Sequence, residues 1–138
     1  MENSRLLEVG DIFRFDFSYT QAQVNHFAEV TADDNPLHID ETYAASTIFK
    51  KPIIHGFLGG SVFSKVFGTM FPGAGTIYLK QSMTFLKPMY INELYTALFE
   101  IKDIHRDKHK ATVSTRIMDK LDNEVVSGEA IILNANKI

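Results

Sequence analysis

Between Thr76 and Leu133 four strand-like segments follow one another with only a few residues between them, and no other feature of this 138-residue sequence restricts its fold as strongly. The segments are "TIYLKQSMTFLK", "ELYTALFEIKDI", "KATVSTRIMD" and "VVSGEAIIL", all rich in β-branched and aromatic residues. A parallel crossover needs about a dozen residues or more, so connections this short predict an antiparallel sheet. "KLDNE", before the last segment, has the composition of a hairpin turn.

The first half of the chain follows a different period. "DIFRFDFS" alternates, with Phe13, Phe15 and Phe17 on one face and Arg14 and Asp16 on the other, as a half-buried strand does. Thr20 can cap a helix while Gln23, three residues on, reaches back to it, and Val24, Phe27, Ala28 and Thr31 share one helical face. Asn35-Pro36 interrupts that helix, and Asp40 caps a short one through "ETYAAS".

"HGFLGGSVFSKVFGTMF" is apolar nearly all round and sets Leu58, Val62, Val66 and Met70 at helical spacing, which predicts a helix buried on most sides. Its Gly59, Gly60 and Gly68 each cost a helix about 1 kcal/mol relative to alanine, so they mark close packing against a sheet or a ligand. The whole reads as a single α+β domain over residues 1–138, its antiparallel sheet wrapped around the central helix.

Charge and composition narrow the partners. Fourteen basic and seventeen acidic residues leave a net charge of -3, with no basic cluster beyond Lys50-Lys51, which argues against nucleic acid as the main partner. The absence of cysteine excludes disulfides, thiolate metal sites and a cysteine nucleophile. The start "MENSRLLEVGDIFRFDF" lacks the pattern of a signal peptide, and no segment has the length to span a bilayer, so a cytoplasmic protein with no membrane partner is expected.

Chemistry concentrates in "DDNPLHID", Asp33 to Asp40. Taken singly, Asp34 reads as a solvated turn residue, Asp40 as a cap, and Asp33 and His38 as polar residues near helix ends. Together, an acid and an imidazole flanking a rigid Asn-Pro can reach one water, which is the pairing proton transfer requires. Gly56, after His55, either relieves a tight helix entrance or offers an unpaired N–H to a carbonyl oxygen that becomes negative. Ser61 and Ser64 lack the GxSxG context of a hydrolase nucleophile. His26, His38, Asp40 and His55 match no metal-binding signature, so no metal is expected, and His105 and His109 read as solvent-facing. Phe57, Phe63, Phe67 and Phe71 read first as core, with Phe57 and Phe63 as candidates for an acyl pocket.

The run "FAEVTADDNPLHIDETYAA", Phe27 to Ala45, resembles the hydratase motif of the MaoC-like (R)-specific enoyl-CoA hydratases, and "IIHGFLGGSVFSKVFG" and "PGAGTIYLKQSMTFLKPMYINE" resemble the segments that follow it in short bacterial members. The resemblance implies a hot-dog fold, a curved sheet around a long helix, paired into a homodimer or higher homo-oligomer with the acyl site near the subunit interface. It further implies Asp33 and His38 as catalytic residues, Asn35 as shaping the site, the Gly56 amide as holder of the thioester carbonyl, and Ser61 as a serine near the site. The substrate implied is a trans-2-enoyl-CoA hydrated reversibly to the (R)-3-hydroxyacyl-CoA, with no cofactor. Alternatives are a 3-hydroxyacyl-acyl-carrier-protein dehydratase, with that carrier protein as partner, a hot-dog thioesterase, and a non-catalytic acyl-thioester-binding protein. One departure stands out: the family's glycine before the aspartate is Ala32 here, which is costly if that position needs a positive φ.

Overall fold

A computed structural model describes residues 5–138. The early strand β1 (Ile12–Phe17) keeps the expected alternation, its three phenylalanines half-buried and Ile12, Arg14 and Asp16 exposed. Helix α1 (Gln21–Thr31) begins with the reciprocal Thr20–Gln23 capping box and buries Val24 and Ala28. Two short helices follow, α2 (Pro36–Ile39) and α3 (Glu41–Ala45), and the Asp40 side chain caps the second by accepting from the Tyr43 amide at 3.0 Å. The α2 turn was not anticipated. Asn35-Pro36 does end α1, yet proline at a first helical position also starts a helix, because its fixed φ suits that position and its missing N–H would have had no partner there.

The long helix is α4 (Gly56–Thr69). It buries Leu58, Val62, Phe63, Val66 and Phe67 but leaves Phe57, Ser61, Ser64 and Lys65 exposed, so it is covered on one side rather than most sides. Met70 lies just past its end and is 42 % exposed. Glycines account for part of the covered face. A Cβ on Gly59 would stand 2.8 Å from the Met89 sulfur and one on Gly60 2.4 Å from the Met83 sulfur, whereas one on Gly68 would meet nothing within 4 Å. Close packing therefore explains the first two glycines and not the third.

Strands β2 (Ile77–Phe85), β3 (Tyr95–His105), β4 (Lys110–Asp119) and β5 (Glu124–Leu133) join β1 in one antiparallel sheet of order β1-β3-β4-β5-β2. On β3, β4 and β5 alternate residues turn inward, among them Ala97, Phe99, Ile101, Val113, Ile117, Ala130 and Ile132, and form one continuous core with α4. This is the hot-dog arrangement, a sheet wrapped around a central helix. Strand β2, at one edge, is different: Ile77, Tyr78, Leu79 and Phe85 are exposed and its outer backbone has no partner strand among the described residues.

Candidate active site

Three loop and helix ends meet on one side of α4. The first is the end of α1, where the Thr31 hydroxyl donates to the Phe27 carbonyl at 2.7 Å and accepts from the Asp33 amide at 3.2 Å. Ala32 between them is left-handed, φ 62° and ψ 16°, the backbone region in which glycine is favoured. Asp33 is thereby turned back over the helix end, exposed to solvent.

The second is α2. The Asn35 side chain accepts from the Leu37 amide at 3.1 Å and its carbonyl from the His38 amide at 3.0 Å, so Asn35 builds the single turn that carries His38. The Gln21 amide group donates to the His38 carbonyl at 2.9 Å and ties that turn to α1. His38 is almost fully buried, and its Nδ1–H donates to the Ile53 carbonyl at 2.7 Å, which leaves Nε2 with its lone pair free. Burial pushes the His38 pKa below the ordinary value, and the neighbouring His55 lowers it too, against the raising effects of the Ile53 carbonyl and Asp33.

The third is the head of α4, where His55 is the N-cap. Its ring stacks on His38, centroids 3.8 Å apart and planes at 27°, with Phe27 at 4.7 Å on its own neighbouring side. Its Nε2 donates to the Asp33 carbonyl at 2.9 Å. A carboxylate oxygen of Asp33 and a ring nitrogen from each of His38 and His55 consequently lie within 4.8 Å of one another. Gly56, the next residue, opens α4 with its N–H at the positive end of the helix dipole.

Beside Gly56 runs a mostly apolar groove of about 460 Å³, lined by Gly56, Phe57, Phe85, Leu86, Lys87 and Met89 among others. Phe57, 71 % exposed, packs edge-on against Phe85, while Gly56 has room for that ring only because it has no Cβ. Ser61 lies elsewhere, donating to the Leu58 carbonyl at 2.6 Å and lining a separate groove between α4 and β2. Phe63 is fully buried against Phe99 and lines none of these grooves. Of the imagined metal ligands, Asp40 is occupied as a cap and His26 points outward beside Glu29. The sequence weighed the His55 side chain only as a metal ligand and set it aside, so its place beside Asp33 and His38 was missed. The signal was its position at the N-terminus of a helix whose first residue is a site candidate.

An acid and an imidazole with a free nitrogen, brought together beside the residue that caps α4, form a site of the acid-base type, set on a hot-dog scaffold, and the helix-start amide of Gly56 follows that cap in the chain. The chain belongs to the MaoC-like domain family, whose pattern matches residues 8–124. Among its relatives, an (R)-specific enoyl-CoA hydratase of Aeromonas caviae is 40% identical over 130 residues, 94% of this chain and 97% of that one. A mitochondrial 3-hydroxyacyl-[acyl-carrier-protein] dehydratase of Arabidopsis thaliana is 35% identical over 95% of this chain and 80% of its own length. The solved structure of an (R)-hydratase from A. caviae superimposes with a TM-score of 0.90 at 41% identity, covering 93% of this chain and 97% of that chain.

Proposed function

We propose that this protein is an (R)-specific enoyl-CoA hydratase, a hydro-lyase adding water across a trans-2-enoyl-CoA to give the (R)-3-hydroxyacyl-CoA. The observation that carries the reading is the approach of the Asp33 carboxylate and the His38 ring within 4.8 Å, beside His55, whose next residue Gly56 opens α4. Water sits between the two. His38 Nε2 takes a proton from it as its oxygen bonds to C3, and the double-bond electrons move onto the thioester oxygen. The Gly56 N–H and the α4 dipole stabilise that enolate, and Asp33 holds the water. C2 then takes a proton from the pair, which ends the cycle in its starting protonation state. Dehydration is the same path reversed.

The substrate, one water and the acid-base pair account for every atom and proton of the step, and the reading assigns it no cofactor. Nor is a metal assigned: imidazole lone pairs lie in the ring plane, and two rings stacked 3.8 Å apart at 27° direct theirs side by side rather than at one point within bonding distance. The groove beside Gly56 has the size of a small-ligand site and is assigned to the thioester arm, with Lys87 at its margin for the phosphates of coenzyme A. Phe57 forms part of its wall. Lys51, by contrast, is engaged with Glu93 and the Tyr90 ring, and Lys65 lies over Phe15.

A homodimer is part of the proposal. An unpaired edge strand with Ile77, Leu79 and Phe85 exposed invites pairing with another copy, which also covers the Phe57 and Ser61 stripe of α4 and brings Ser61 to the subunit boundary. No helix among the described residues is long and apolar enough to cross a membrane, and a cytoplasmic location belongs to the same reading.

Loss of the enoyl-thioester absorbance of crotonyl-CoA tests the reading, with Asp33→Asn and His38→Ala measured alongside. Hydration to the (R)-3-hydroxy product, reduced about 100- to 10,000-fold in each variant, is expected. An intact double bond across several acyl lengths and both carriers would overturn it.

A further inference from the structure

We infer that His55 is a positioning residue for the Asp33/His38 pair: its Nε2 anchors the backbone of Asp33 and its ring face fixes the plane of His38, so the two reacting groups address one water. The inference rests on the hydration reading above and concerns how that same site is held in register.

Asp33 needs such an anchor. It sits in the stretch between α1 and α2, exposed, and among the described residues its amide is held only by the Thr31 hydroxyl and its carboxylate makes no hydrogen bond. The Asp33 carbonyl is gripped from the head of α4, 22 positions along the chain. That places the acid relative to the same helix whose first amide is assigned to the thioester oxygen, so one side chain couples the α1 end to the start of α4.

A mere filler does not require imidazole. His55 is 2 % exposed, in ring contact with both Phe27 and His38, and its Nδ1 is buried with no hydrogen-bond partner among the described residues. Phenylalanine would occupy that slot without stranding a nitrogen, and a buried unpaired polar atom calls for an explanation of its own. What phenylalanine cannot supply is the N–H to the Asp33 carbonyl. The titratable groups that face His38 are Asp33 from the α1–α2 loop and His55 from α4. The Ile53 segment presents a carbonyl to His38, and Phe27 of α1 packs on the His55 ring.

Crotonyl-CoA hydration by the wild type, His55→Phe and His55→Gln, followed from about pH 5 to 8.5, tests the inference, with folding checked by circular dichroism. In His55→Phe, kcat is expected to fall about 100-fold with little change in KM, the size of loss that a misplacement of about 1 Å produces. His55→Gln can still donate to the Asp33 carbonyl and is expected to recover about tenfold or more of that loss. Its acid limb should nevertheless move up part of the way, because burial, the main cause of the lowered His38 pKa, remains while the smaller lowering by His55 is gone. A folded His55→Phe with wild-type kcat overturns the inference, as does equal loss in both variants with an unmoved acid limb. If the wild type itself leaves crotonyl-CoA unchanged, the hydration reading has failed separately. The His38 ring titration by NMR, which needs no substrate, then decides: an upward move in His55→Gln supports the coupling, and an unchanged titration overturns it.

Discussion

The Ile53 carbonyl accepts the Nδ1–H of His38 at 2.7 Å, which leaves Nε2 as the basic position of a ring that is otherwise almost wholly buried. The folded protein therefore binds the His38 proton more weakly than the unfolded chain does, since burial, the largest cause, and His55 both lower its pKa. Below the ordinary histidine pKa of about 6.5 the unfolded state holds more protons, so the His38 contribution to stability is complete above that pH and is lost as pH falls through the depressed value. Thermal melts should decline between neutral and mildly acid pH, and His38→Gln should decline less. The acid limb of kcat/KM should also lie below about 6.5; a limb above it contradicts the assignment of His38 as base.

Ala32 is a second case in which local geometry predicts an outcome. A side chain at φ 62° costs roughly 1–2 kcal/mol, and glycine relieves this while raising the entropy of the unfolded chain by about 0.4–1 kcal/mol. Ala32→Gly should raise Tm by about 2–4 °C in a differential scanning experiment. An unchanged or lower Tm would mean that Ala32 is not strained where it stands.

Two glycines offer a sharper contrast. A Cβ on Gly68 meets nothing within 4 Å, so Gly68→Ala should stabilise by about 0.5–1 kcal/mol through helix propensity. A Cβ on Gly128 would fall 1.8 Å from the Ser82 backbone oxygen, and Gly128→Ala should cost about 3 kcal/mol or more, since strands β5 and β2 must separate locally. Urea midpoints moving in opposite directions would bear this out, and parallel movement would refute it.

Lys87 lines the Gly56 groove but touches none of the acid-base pair. Replacing it with alanine should raise KM for a CoA thioester about fivefold, leave kcat near wild type, and lose its effect as salt is added, because an exposed charge contact is worth up to about 1 kcal/mol. A drop in kcat with an unchanged KM would place Lys87 in the chemistry instead.

Much of the fold was legible before any coordinates. The Thr20–Gln23 box, the Asp40 cap and the alternating strands appear where the sequence put them, and the Asp33-x-Asn35-Pro36-x-His38 spacing already named the acid and the imidazole. The positive φ suspected at Ala32 is present. Less legible were α2, hidden behind a proline read only as a helix breaker, and the exposed stripe of α4 that left Phe57 outside and Phe63 in the core.

The division has a physical basis. Caps, turns and hydrophobic periods are made by residues within about four positions of one another, so the sequence alone determined every element but α2, and with them the residue types available for proton transfer, while the short connections between strands determined their antiparallel pairing. Tertiary structure decided which of those residues meet. His55 reaches the Asp33 carbonyl and the His38 ring, Ser61 faces a different groove, and Lys87 lines the groove beside Gly56 that Lys51 and Lys65 do not. Those outcomes follow from how α4 seats against the sheet and against the end of α1. That seating is set by the summed packing of the whole core, and no local stretch of sequence encodes it.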